Sequence, residues 1–216
     1  MKLVDELKSK KGELATWRQH LHANPEIAYE EKDTSNFVAA KLESFGVEVH
    51  RGFGGTGLVG VIHGNQGDPA SGKAIGLRAD MDALPMSEET NLAYASQRPG
   101  RMHACGHDGH TTMLLAAARH FARTRRFCGT IHGIWQPPEE SGNAGARSMV
   151  DDGLFEKFHM DSVWGMHNWP GLEVGRAVAH CGPAMAAADI FILTIEGKGG
   201  HAAMPHLTRD PVAAAG

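Results

Sequence analysis

Residues 102–110, MHACGHDGH, place three histidines, a cysteine and an aspartate within nine positions. Imidazole and thiolate lone pairs are transition-metal ligands. Gly106 and Gly109 argue against a helix through the whole stretch. If the loop is extended, Cys105 and His107 project to the same side, because side-chain direction repeats every two residues. The same residues fit equally well a polar loop with an inert cysteine. Neither a C-x-x-C pair nor an H-E-x-x-H helix is present.

A second stretch, WQPPEESGNAG at 135–145, holds adjacent acids, Glu139 and Glu140. At a strand end two neighbouring carboxylates point apart, so one can face a metal and the other the water it activates. A solvated acidic turn is the commoner reading of such a pair. In VWGMHNWPG, 163–171, His167 ends an expected strand. In LRADMDALPM, 77–86, Asp80 and Asp82 follow another; an Asp there either orients a ligand histidine or caps a turn. In GKGGHAAMPH, 197–206, His201 after a glycine pair is a mobile donor or an ordinary loop histidine. Four of these five stretches follow expected strands at what would be one end of one sheet. That coincidence favours a metal site, because open α/β sheets place their sites at such an edge.

The elements that must position these groups are legible in outline. Leu3, Leu7, Leu14, Trp17 and Leu21 predict a helix over 2–22, ended by Pro25, and a second helix fits 31–45, stopped by Gly46. GVEVH, GLVGVIHG and KAIGLRAD read as short strands between glycine-rich turns. GHTTMLLAAARHFART, 109–124, predicts a helix, GTIHGIWQ a strand, GARSMVDDG a short helix and DSVWGMH another strand. This alternation is an α/β layered domain. Near 180 the texture changes. ADIFILTIEG, 188–197, is the longest strand-like segment, and Asp210-Pro211 reads as an N-cap and first helical position. The expectation is a catalytic domain over 1–181 and the start of a second, incomplete domain over 182–216.

Composition narrows the function. The 216 residues carry a net charge of −4, with no basic footprint for nucleic acid. Three cysteines do not make a disulfide framework. The charged N-terminus lacks the apolar core of a signal peptide, and no apolar run reaches the length of a membrane span. A cytoplasmic location is expected. Histidine is abundant, with 14 residues.

RADMDALPM, MHACGHDGHTTMLLAAA, QPPEES, GMHNWPG and GKGGHAAMPH occur in this order, after NPEIAYEE and GGTGLVGVIHG. Together they resemble the M20 metallopeptidase family in its amidohydrolase branch, which includes hippurate hydrolases, indole-acetyl-amino-acid hydrolases and N-acetyl-diaminopimelate deacetylases. The resemblance implies a three-layer zinc-peptidase-like catalytic domain with a mixed sheet, and an inserted α+β lid and dimerisation domain. It implies two divalent metal ions, zinc or manganese, with cobalt and nickel also admissible. Carried over by motif, Cys105, His107, Glu140 and His167 match the metal ligands and Glu139 the general base. His201 matches a lid histidine that stabilises the oxyanion, often in the partner subunit's site, and Asp80 the aspartate behind the site. The wider family has H-x-D where this chain has Arg78-Ala79-Asp80, so Arg78 stands where that family has a ligand. The branch commonly reads QPAEEGGGGA against QPPEESGNAGA here, with both glutamates kept. The last ligand of the branch, a C-terminal histidine, falls beyond residue 216.

The implied activity is hydrolysis of N-acyl amino acids to a carboxylate and a free amino acid, by a homodimer formed through the lid. The 216 residues alone are expected to be inactive. The alternative is a catalytically silent metal-binding or interaction protein of the same fold. A thiol redox protein using Cys105 is a weaker third, since no resolving cysteine is near in sequence.

Overall fold

The computed structural model describes residues 3–68, 70, 72–142, 144–179, 181–185 and 190–216. The chain divides into two units, 1–170 and 171–216.

The first unit is built on a mixed sheet of β1 (Glu48–Phe53), β2 (Gly57–His63), β3 (Ala74–Asp80), β4 (Thr130–Gln136) and β5 (Ser162–Gly165), in the order β1-β2-β4-β3-β5. β1 and β2 pair antiparallel, as do β2 and β4, whereas β3 runs parallel to both β4 and β5. The register sets Asp80 opposite Gln136 and Arg78 opposite Gly165. The three parallel strands therefore finish at one edge, and the chain leaving each passes over the same place.

Side chains alternate across the sheet with period two. Leu58, Ile62, Ile131 and Trp135 point to one face, where they pack with Trp17, Val38, Leu42, Leu114 and Leu115. These residues come from α2 (Lys11–Ala23), α3 (Lys32–Ser44) and α4 (His107–Thr124). Val59, Val61 and Ile134 point to the other face, toward Met149, Leu154 and Phe158, from α5 (Gly145–Asp151), α6 (Leu154–Lys157) and its end. Helices thus cover both faces, giving three layers. Trp135, Leu42, Leu58 and Leu115 are completely buried, and burial of each such side chain is worth about 1.5–3 kcal/mol. The room for Trp135 comes from glycine: Gly60 and Gly133 are cross-strand partners. A Cβ on Gly133 would lie 2.6 Å from the indole.

The N-terminal helix expected over 2–22 is two helices, α1 (Leu3–Ser9) and α2, separated at Lys10. α4 begins at His107 rather than at 109, so Gly109 lies inside its first turn. The extended loop expected to align Cys105 with His107 is not there. Gly106 instead turns the chain with φ +93°, and His107 is the first helical residue. β5 is shorter than expected and leaves His167 two residues beyond its end.

The second unit contains a 3-10 turn at Pro205–Leu207 and α7 (Pro211–Ala215). Asp210 caps α7 by accepting the Val212 N–H at 2.9 Å, as Asp210-Pro211 leads one to expect. The long strand expected over 188–197 is not formed in its described part, 190–197. A strand needs a neighbour for its backbone groups. Among the described residues the pairing in this unit is the bridge between Lys198 and Arg209. Ile190, Phe191, Ile192 and Leu193 are exposed. Among the described residues, no helix is long and apolar enough to cross a membrane.

Candidate metal centre

The site lies at the edge where β3, β4 and β5 end. Asp80 is the last residue of β3. β4 ends at Gln136 and leads through Pro137 and Pro138 to Glu139 and Glu140, where a 3-10 turn at Glu140–Gly142 begins. His167 follows β5, and His107 starts α4, with Cys105 just before it. Three separate connections, the one from β3 to α4 contributing at both its ends, therefore deliver polar side chains to one place.

Potential ligand atoms of Cys105, His107 and His167 lie within 4.8 Å of one another, as do those of His107, Glu139 and Glu140, and those of Asp80, His107 and His110. His107 belongs to all three groups and is completely buried. Its Nδ1–H donates to the Asp82 carbonyl at 2.9 Å and to Asp82 Oδ1 at 3.1 Å. That fixes the tautomer and turns the Nε2 lone pair inward. Nε2 has no hydrogen-bond partner among the described residues. It sits 3.6 Å from Asp80 Oδ2 and 3.9 Å from Glu140 Oε1. Cys105 Sγ is 3.3 Å from His167 Nε2. Asp82 Oδ2 accepts the Glu140 backbone N–H at 3.0 Å, tying the two loops together. Glu139 is the exposed member of the acidic pair and Glu140 is partly buried.

Electrostatics agree with the geometry. Burial alone would raise the Asp80 carboxyl. The hydrogen bond from His110 and the charges of His107 and Arg78 hold it well below the usual carboxylate range. Burial would lower His107, but Asp82 and the charges of Asp80 and Glu140 raise it. The Cys105 thiol is pushed up to about 12, first by burial and then by the carboxylates of Glu140, Asp80 and Glu139. A thiol driven up by three acids marks a strongly negative pocket, and a divalent cation in such a pocket would reverse that effect. Soft sulfur, imidazole and carboxylate donors together form a set that suits zinc and similar ions. The inward, unpartnered Nε2 of a fully buried histidine is the fit such an ion needs.

Arg78 takes a different part. Its Nη1 is 2.7 Å from Asp80 Oδ2 and its Nε donates to Gln136 Oε1 at 2.8 Å. Two groups that the sequence reading did not single out as site residues are built into the centre, His110 and Asn168; Asp82, expected either to orient a ligand histidine or to cap a turn, lies against His107 Nδ1. His110 lies one helical turn beyond His107, a spacing that puts both on one face, and that was the available signal. Asn168 gave none beyond its adjacency to His167. The sequence-expected Cys105, His107, Glu139, Glu140, His167 and Asp80 are all gathered in the first unit. His201 stands in the second, exposed, its Nδ1 accepting the Ala203 N–H at 3.2 Å.

The profile of peptidase family M20/M25/M40 matches residues 76–215. The chain belongs to this family. Among M20 relatives it is 45% identical to the hippurate hydrolase of Campylobacter jejuni, over 100% of this chain and 55% of that protein. It is 44% identical to the N-acyl-L-amino acid amidohydrolase of Geobacillus stearothermophilus, over 98% of this chain and 55% of that protein. The chain thus spans about half the length of these M20 relatives. Its fold matches the crystal structure of Bacillus subtilis YxeP, titled a dinuclear metal binding peptidase from the M20 family. That match has a TM-score of 0.71 and 38% identity, over 78% of this chain and 46% of that one. A Staphylococcus aureus structure matches with a TM-score of 0.78 and 33% identity, over 99% of this chain and 56% of that one.

Proposed function

We propose that the chain carries the metal centre and general base of an amidohydrolase that cleaves N-acyl amino acids to a carboxylate and a free amino acid. The observation that carries this reading is the convergence of Cys105, His107 and His167 beside Glu139 and Glu140. The names of the relatives, hippurate hydrolase, N-acyl-L-amino acid amidohydrolase and N-acetyl-L-cysteine deacetylase, supply the substrate class. Cys105, His107, Glu140 and His167 would hold two divalent ions, zinc or manganese. When bound, such ions polarise the scissile carbonyl and lower the pKa of water.

The rest falls to the chain's own side chains. Glu139, exposed beside Glu140, takes the proton of the attacking water and passes it to the leaving amine nitrogen as the amide C–N bond breaks. Asp82 fixes the tautomer of His107, and Asp80 with Arg78 holds the charge balance behind it. His201 would donate to the oxyanion, a contribution of about 3 kcal/mol where one such donor has been removed elsewhere. That step belongs to a lid begun by residues 182–216, and the same lid would join two copies into a dimer.

Turnover is tested on a protein of the relatives' full length carrying these 216 residues, and metal uptake on the chain itself. Hippurate, N-acetyl and indole-acetyl amino acids should release free amino acid, a chelator should stop it, and Glu139→Gln should lower kcat by at least about 100-fold with metal content unchanged. Glu139→Gln turning over like the parent would remove Glu139 from its role. Metal uptake with no hydrolysis of any of these amides would leave the silent metal-binding reading.

A further inference from the structure

His110 lies within ligand distance of Asp80 and His107, and on distance alone it qualifies as another metal ligand. Its hydrogen bonds say otherwise. Nδ1 is 2.7 Å from Asp80 Oδ1. The carboxylate oxygen is the acceptor of this bond, so Nδ1 carries the proton and cannot ligate. Nε2 is covered by Asn168, whose side-chain Oδ1 lies at 2.6 Å and whose backbone N lies at 3.1 Å. Both ring nitrogens are thereby occupied, and the ring is buried.

Asn168 is itself confined. Its backbone carbonyl accepts from His167 Nδ1–H at 2.6 Å, which turns His167 Nε2 toward Cys105 Sγ. Its side-chain amide lies against Gly106, where a Cβ would come within 2.8 Å of the Asn168 Cγ. Gly106 is the residue between Cys105 and His107. Asn168 therefore touches the loop that carries two of the candidate ligands while it orients a third. His110 connects that contact to Asp80 at the end of β3.

We infer that His110 and Asn168 form a clamp of positioning residues, which sets Cys105, His107 and His167 in register for a divalent ion and does not itself bind one. This rests on the metal-binding reading above. The clamp locks together the end of β3, the start of α4 and the chain after β5, three segments that meet only in the folded state. Loss of a partner that orients a metal ligand typically weakens binding by about 10- to 100-fold.

The test titrates the 216-residue chain with cobalt(II) chloride and reads affinity, stoichiometry and the thiolate-to-cobalt charge-transfer band that reports Cys105. Asn168→Ala removes the side-chain arm of the clamp, its amide against His110 Nε2 and Gly106, at an exposed position; it keeps the two backbone bonds of residue 168 and leaves every candidate ligand in place. It should weaken cobalt binding by about 10-fold or more and diminish the charge-transfer band, with stoichiometry unchanged at saturation. His110→Ala should do the same, and the double variant should be little worse than either single, because both act through one connection. His110→Asn keeps a donor toward Asp80 but loses Asn168, and should fall with the weakened variants. Urea unfolding of each protein separates lost stability from lost binding: a purely structural role would lower the midpoint and leave the cobalt spectrum of the folded protein as in the parent. Asn168→Ala behaving as the parent while His110→Ala loses an ion would make His110 a ligand and overturn the clamp. A parent chain that takes up no cobalt would overturn the metal-binding reading and the clamp together, whereas normal uptake by all the variants would overturn the clamp alone.

Discussion

Cys105 shows how much of a residue's chemistry is imposed by its neighbours. Its thiol is pushed up to about 12 by burial and by Glu140, Asp80 and Glu139, whereas Cys128 and Cys181 are exposed. Only the thiolate is alkylated at a useful rate. In the chain stripped of metal, iodoacetamide at pH 8 should therefore modify Cys128 and Cys181 well before Cys105, as followed by peptide mass spectrometry. Equal labelling of all three would contradict the negative pocket. His103 is a second case. It is buried, without a hydrogen-bond partner on either nitrogen among the described residues, and burial depresses it to about 4. Its neighbour in sequence, Cys105, is legible as chemistry because it pairs with His107 two positions on. Asp82 was visible as an acid after a strand, yet its work, aiming His107, depends on a distance across 25 positions that no local spacing encodes.

At the scale of elements, α2 and α4 are joined by a buried polar connection as well as by packing. His22 on α2 lies 2.9 Å from Asp108 Oδ2 through Nδ1 and 3.1 Å from Glu88 Oε1 through Nε2, and Arg18 donates to the same Asp108 oxygen at 3.0 Å. With a carboxylate at each nitrogen, His22 is held as the imidazolium. Its pKa is raised above 6.5 chiefly by the Asp108 hydrogen bond, against the opposing effect of burial. A raised folded pKa stabilises the fold fully below the unfolded value and loses that contribution as pH rises through the folded one. His22→Ala should lower the unfolding free energy by about 3 kcal/mol at pH 6. The gap between parent and variant should narrow at pH 9, as read by urea denaturation; a gap that widens with pH would reverse the sign argued here. The strands were readable because β-branched runs alternate between glycine turns. The break at Lys10 and the missing strand over 190–197 were not, because propensity is local and a strand is completed only by a partner.

For the whole molecule, a metal centre assembled from three connections couples ion binding to folding, since the candidate ligands are apart in the unfolded chain. Free zinc or manganese at about 100 times its dissociation constant stabilises by about 2.7 kcal/mol, which in a chain of this size raises the unfolding midpoint by about 5–10 °C. Scanning fluorimetry with added ion, and again with a chelator, should show the rise and its reversal, and His107→Ala should show neither. A midpoint indifferent to the ion in the parent would argue against a site organised by folding. The three-layer arrangement makes this coupling possible: helices on both faces leave the carboxyl edge of the parallel strands open, so the loops that follow them converge there.

Sequence by itself determined the family and the α/β alternation, and through the order of the family's motifs it singled out Cys105, His107, Glu139, Glu140 and His167 as candidates. Only the tertiary structure decided which atoms face inward, that Asp82 aims His107, and that both nitrogens of His110 are taken by Asp80 and Asn168. The reason is physical. A donor's type is a covalent property of one residue, whereas its direction is fixed by hydrogen bonds that span 25, 30 and 58 positions along the chain and exist only once β3, α4 and the segment after β5 are packed.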